Sequence, residues 1–247
     1  KLSEQQVAAI RQWIEMGAPD PRTATSGPKK QTGLTLEQGR KFWSFQPLTN
    51  PTVPVMSSPW VKNDIDRFVL KKLTSYKLTP NPSADKLTLI RRAYFNLIGL
   101  PPTPDSVNRF MADKSLNAYE KLVDSLLSNK HYGERWARHW LDIARYGEDQ
   151  AHTFQARMYP NGFRYRDWVL AAFNNDMPYD RFIMLQLAAD KLTSKPDANW
   201  AALAFITIGQ SSSNPDEIIN ERIDSVGRGF LGLTLACARC HDHKFDP

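Results

Sequence analysis

From Trp60 onward the chain is a succession of helix-period apolar segments, each closed by glycine, proline or a polar break. This rhythm constrains the fold more than any other feature. Asn63 stands as an N-cap before Ile65, Phe68, Val69 and Leu73, which share one helical face. Ser83 opens the next run, with Leu87, Ile90, Tyr94 and Leu97, stopped by Gly99 and the Pro101-Pro102 turn. Thr103-Pro104 places a capping hydroxyl before a proline at the first helical position, and Val107, Phe110 and Met111 follow. Tyr119, Leu122, Val123 and Leu126 mark another helix, and Tyr132, Trp136, Trp140 and Ile143 a fifth. Tyr165–Phe173, Tyr179–Leu187 and Ala198–Ile208 read as three more, and Pro215 opens a last one with Ile218, Ile219, Arg222, Ile223 and Val226. No period-two run of useful length interrupts them. The expected fold class is mainly α: an irregular multi-helix domain with long Pro-rich loops, preceded by a short N-terminal helix.

That first helix is Leu2–Met16. Ser3 is its cap, with Gln6 as the capping-box partner; Val7, Ile10 and Ile14 form its stripe beside Trp13, and Gly17 closes it before Pro19 and Pro21. A lone amphipathic helix cannot bury its own stripe. It is therefore expected to be the tail of an upstream domain or to dock on the main body. Residues 23–33 are a polar linker, Phe42–Phe45 is a short aromatic patch, and Pro47–Pro59 is Pro-rich and extended. The expected organisation is residues 1–22 as the end of an upstream domain, 23–59 as linker and extended segment, and 60–247 as a helical domain truncated at its C-terminus. The boundary falls between Asp20 and Leu36.

Composition excludes several classes. A hydrophobic content of 41% is ordinary for a globular chain and rules out disorder as the main state. The longest apolar stretches, Ala201–Ile208 and Phe230–Cys237, fall well short of the ~18 residues that span a bilayer, so no membrane span is expected. The net charge of +6 is spread among aromatics and acids and forms neither a patch nor a recognised module, which argues against nucleic acid.

The chemistry concentrates near the end. The chain's only two cysteines, Cys237 and Cys240, stand three apart with His241 following, the attachment pattern of a c-type haem. Two thiols must reach two vinyl groups on one porphyrin edge. Three residues along a helix is nearly a full turn, which sets both sulfurs on one side, and the next imidazole supplies the proximal iron ligand. Three other chemistries take such a pair. Zinc needs four ligands, so His243 and a carboxylate would have to join the cysteines. A redox dithiol calls for a thioredoxin-like βαβ setting, which the pattern lacks. A disulfide across three residues closes a small loop and constrains little. Haem c is the favoured reading.

A haem iron also has a distal face. His243 is too near His241 to cross the ring. His152, in the polar break Gly147–Phe154, is the better candidate for a distal ligand or pocket residue, set against the plainer reading of a structural histidine. His131 and His139 sit inside helical pattern as packing or surface residues, and the six methionines are not ranked. Arg164, Arg166, Arg222 and Arg228 are candidates for propionate contacts, although a solvated surface arginine is the commoner case. Trp136 and Trp140, four apart, are expected to share a face that packs into the core.

Several long motifs carry a resemblance. The tail from Gly229 to Pro247, Ile65-Asp-Arg-Phe-Val-Leu70, Leu89-Ile-Arg-Arg92, Gly99-Leu-Pro-Pro-Thr-Pro104, the run His131–Asp142 and Arg164-Tyr-Arg-Asp-Trp168 together resemble the planctomycete cytochrome c-associated family, whose main domain is a domain of unknown function. The resemblance runs from about Trp60 to Pro247. Leu2–Pro21 resembles the end of the small cytochrome c domain that precedes the main domain in that family. The resemblance implies an exported, periplasmic protein. It also implies an upstream cytochrome c domain and a downstream domain, and it hints at carbohydrate as substrate. Residues beyond Pro247 are expected to complete the haem pocket, so the remainder of the protein or a partner chain is expected to pack on the C-terminal tail. It supplies no catalytic residue.

Two functions compete at this point. One is an exported haem c protein in electron transfer, part of a larger oxidoreductase; a body this large around one haem exceeds what bare electron carriage needs. The other is a carbohydrate-binding or scaffold module whose haem or zinc is structural, for which the Trp, Tyr and Arg content offers stacking and anionic-sugar contacts.

Overall fold

A computed structural model of the chain describes residues 2–18, 35–148, 159–193, 195–209 and 214–239. All regular elements among them are helical, as expected. The chain divides into two units, Lys1–Thr49 and Asn50–Pro247.

In the first unit, α1 (Glu4–Glu15) begins with the expected box: Ser3 N–H donates to Gln6 Oε1 at 2.9 Å, and Gln6 N–H to Ser3 Oγ at 3.3 Å. Gly17 ends it at φ +85°, a conformation glycine adopts without steric cost. No residue of α1 is buried. A second box, Thr35 with Gln38, opens α2 (Leu36–Arg40), and the aromatic patch folds as a 3₁₀ turn, Trp43–Phe45. The Thr-x-x-Gln spacing carried this signal, and the polar composition around it concealed it.

The second unit starts with α3 (Asp64–Ser75), capped reciprocally by Asn63 and Asp66. Helix α4 (Lys86–Leu97) begins at Asp85 rather than Ser83. Asp85 Oδ1 accepts from the Thr88 amide at 2.8 Å and Oδ2 from its hydroxyl at 2.9 Å. The Thr88 amide and hydroxyl hold this carboxyl below its ordinary range, so the cap is formed at neutral pH and is lost only as pH falls through that lowered value. Helix α5 (Pro104–Ala112) has the expected Thr103 cap and first-position proline, and α6 (Ala118–Leu127) follows. Ile90, Phe110 and Ala118 form one small core, and Ala93, Ile98 and Leu126 another. Lys86 Nζ donates to the carbonyls of Phe110 and Asp113, closing the end of α5 with a positive charge where the helix dipole favours one.

The main core lies among α7 (His131–Ile143), α8 (Gly162–Asn174), α9 (Tyr179–Leu192), a 3₁₀ turn at Ala198–Leu203, α10 (Ala204–Thr207) and α11 (Pro215–Val226). Trp140 is at its centre. It meets Phe182 edge-on at 5.0 Å and stacks near Phe205 and Phe230 at 5.9 and 5.8 Å. Its Nε1–H donates to Gln186 Oε1 at 2.8 Å and approaches the Tyr165 hydroxyl at 3.2 Å; Tyr165 donates to the same Oε1 at 2.7 Å, and Gln186 Nε2 donates to the Phe182 carbonyl at 3.1 Å. A buried amide that satisfies two aromatic donors fixes one arrangement of three helices. Burial pushes the Tyr165 phenol well above its usual range, so it remains a donor.

Three details depart from the sequence reading. Trp140 is 8% exposed and Trp136 37%, so only one of the pair is core; Trp136 lies against the Tyr132 and His139 rings instead. Helix α9 runs past Leu187 to Leu192, with Ala188 out of helical conformation (φ −153°). Ala198–Ile208 is a 3₁₀ turn followed by a short α-helix. Small side chains at Ala201 and Ala202 let that turn lie close against the core, where Trp200 Nε1 donates to Thr193 Oγ1 at 2.8 Å.

Helices α7 and α8 touch at Gly133. A Cβ there would stand 2.7 Å from the Asn174 side chain and 2.7 Å from the Leu170 carbonyl oxygen. The carbonyl belongs to a packed helix and cannot swing aside. Gly133→Ala is therefore expected to lose about 1–2 kcal/mol net: the overpacking cost outweighs the better helix propensity of alanine. A urea midpoint equal to or above that of the parent would show that the two helices can separate.

Candidate functional site

The Cys237 segment hangs from the end of α11. Asn214 caps this helix, accepting from the Asp216 amide at 3.0 Å, and Pro215 takes the first position. Arg145, just past α7, anchors it: one guanidinium nitrogen donates to Glu221 at 2.5 Å and another to the Phe205 carbonyl at 3.1 Å. A single side chain just past the end of α7 thus ties the middle of α11 to α10.

After Val226 the helix widens into a π-turn, Gly227–Leu231, and Gly232 (φ +66°) reverses the chain. The returning strand of loop passes so close that a Cβ on Gly227 would stand 2.8 Å from Leu235 Cδ1. Leu233 N–H donates to the Gly227 carbonyl at 3.0 Å. Asp224, almost fully buried, completes the fold-back. Its Oδ1 accepts from the amides of Leu235 (3.2 Å) and Ala236 (3.0 Å), and its Oδ2 pairs with Arg228 Nε at 2.7 Å. The carboxylate therefore fixes the two residues immediately before Cys237. Cys237–Arg239 then form a 3₁₀ turn on which Cys237 is exposed, its thiol free.

Asp224 was not singled out from sequence, although its i,i+4 spacing to Arg228 was a local signal. The Arg145–Glu221 tie had none, because 76 residues separate the partners. Replacing Asp224 by alanine leaves two loop amides and Arg228 without their acceptor; a loss of about 1–3 kcal/mol is expected. Asp224→Asn retains an acceptor for the amides and gives up only the half-exposed ion pair, for which less than about 1 kcal/mol is expected. Hydrogen exchange at the amides of Leu235 and Ala236 reads the difference directly. Equal protection in both variants would contradict this role.

Of the residues singled out earlier, Cys240, His241, His243 and His152 lie outside the described residues. Arg228 is engaged by Asp224, and Arg166 by Glu148 (3.0 Å) and Asp167 (3.1 Å), while Arg164 and Arg222 are exposed. His131 Nδ1 is 2.6 Å from Glu134 Oε2 on the surface of α7. Among the described residues no cluster of three or more His, Cys, Asp or Glu could hold a metal. None of the described helices is long and apolar enough to cross a membrane. An exposed, unbonded thiol on a turn held from behind fits covalent attachment of a large planar group, since neither burial nor a competing bond blocks the sulfur.

Residues 64–247 match the model of a family described as PSCyt2, protein of unknown function (DUF1549). No curated protein and no solved structure matches the chain.

Proposed function

Because the chain belongs to the PSCyt2 family (DUF1549), matched over most of its length and of unknown function, we propose a role from its own residues: an exported haem c protein that transfers electrons as part of a larger oxidoreductase. The observation that carries the reading is the exposed Cys237 thiol at the head of Cys-x-x-Cys-His, on a turn that Asp224 and Gly227 brace. Cys237 and Cys240 supply the thioether sulfurs and His241 the proximal iron ligand; His152 is the candidate for the distal side. Bound there, the haem supplies one-electron chemistry. The chain's own part is to present the Cys237 sulfur to solvent and to keep the preceding loop from moving. Covalent attachment takes place on the exported side of a bacterial membrane, which sets the proposed compartment as the periplasm.

The test is a pyridine haemochrome spectrum of the chain exported together with a c-type haem maturation system. A c-type spectrum that survives denaturation and acid-acetone extraction is expected. Colourless protein with both thiols free, bridged or bound to zinc would overturn the proposal.

A further inference from the structure

Beside the connection between α8 and α9 lies a hollow of about 180 Å³, open to solvent on one side, that takes no part in the reading above. Its wall is aromatic: Tyr132, Trp140, Phe173, Tyr179 and Phe182 line it, together with Asp176. Several of these rings meet nearly at right angles. Trp140 and Tyr179 are at 85° and 6.5 Å, Trp140 and Phe182 at 71° and 5.0 Å, and Phe173 and Phe182 at 76° and 6.0 Å. Perpendicular rings wall a space on more than one side, and the negative face of an aromatic ring attracts a cation.

We infer that this hollow is a binding site for a small alkylammonium ion of the choline type, held by the aromatic wall and the Asp176 carboxylate. Among the described residues no hydrogen bond or ion pair engages that carboxylate. Asp176 also adopts φ +48°, a left-handed conformation that aspartate tolerates better than most residues. The turn is closed by the amides of Asp176 and Met177, which donate to the carbonyls of Phe173 (3.2 Å) and Ala172 (3.0 Å). The turn thus places Asp176 just past the C-terminal end of α8, where the helix dipole adds negative potential. No lysine, arginine or histidine lines the hollow. The N-terminal end of α7, whose dipole has the opposite sign, has its Gly133 amide already taken by Asn174 Oδ1 at 2.8 Å. An anion is disfavoured by the same charges. The size suits a compact headgroup, being below the ~300 Å³ at which pockets for larger ligands begin.

Calorimetric titration of the full chain with choline chloride, at ionic strength held constant with potassium chloride, tests this. The uncharged isostere 3,3-dimethyl-1-butanol and methyl glucoside serve as comparisons. Saturable choline binding is expected, with the isostere weaker by about tenfold, as expected for a cation over rings. Asp176→Asn, which preserves the turn, and Tyr179→Leu, at an exposed ring, are each expected to weaken choline severalfold while leaving the far-ultraviolet spectrum unchanged. Equal affinity for the isostere would make the hollow merely apolar. Binding of methyl glucoside alone would make it a sugar site. Either result overturns the inference, as would the absence of saturation by any probe or choline binding that Asp176→Asn leaves unaltered. Because the site does not include Cys237, its failure and that of the haem reading are independent.

Discussion

Phe205→Ala is expected to lower the unfolding free energy by about 3–5 kcal/mol, among the largest effects a single substitution can have in this chain. Phe205 is fully buried, with its ring 4.7 Å from that of Phe230 and 5.9 Å from that of Trp140. The backbone at Gly229 runs against it so closely that a Cβ there would stand 2.9 Å from Phe205 Cζ. Removing the ring opens a cavity between two large aromatic groups, and Trp140 is held by its hydrogen bond to Gln186 and cannot collapse into the space. Because the π-turn that leads to Cys237 leans on this ring, the same variant is expected to deprotect the amides of the turn in hydrogen exchange. Leu116→Ala, at a fully exposed side chain, serves as the control and is expected to change stability by less than about 0.5 kcal/mol. A urea midpoint for Phe205→Ala close to that of the control would mean that the packing around α10 is not what holds the unit together.

The second large effect concerns the cysteines. On the proposed haem c reading, Cys237→Ala combined with Cys240→Ala is expected to abolish covalent haem completely, so that no haem-stained band remains on a denaturing gel and the intact mass is that of the bare polypeptide. Each single variant retains one thioether site, for which a reduced yield is expected, with a haemochrome band shifted by the remaining vinyl group. His241→Ala retains both sulfurs but removes the proximal nitrogen, so attached haem with an altered spectrum is expected. These outcomes separate attachment from ligation. A double variant that remains coloured after denaturation would exclude the assignment of the two sulfurs, whatever else the chain binds.

Much of the fold was legible because its signals are local. The capping residues Ser3, Asn63 and Thr103, the first-position prolines Pro104 and Pro215, and the closing glycine Gly17 all act within one turn of the chain. Where the reading erred, a competing local group or a distant one decided. Asp85 offers two acceptor oxygens to Thr88 and so displaced Ser83 as the start of α4. Trp136 and Trp140 look alike from spacing, yet Gln186, 46 residues beyond Trp140, selects which of them is buried. The Asp176 carboxylate drew no notice in the sequence, because a single acid in a turn has no pattern; its setting is built by rings from three helices.

The sequence by itself determined that this chain is a set of capped helices and that its sulfur chemistry sits in one Cys-x-x-Cys-His segment, since periodicity, capping and motif spacing are properties of neighbouring residues. Only the tertiary structure decided that Asp224 and Gly227 brace the approach to Cys237, that Arg145 ties α10 and α11 to the end of α7, and that five rings and one carboxylate line one open hollow. Those arrangements depend on where helices far apart in sequence come to rest, and that is set by the shared burial of side chains no single segment contains.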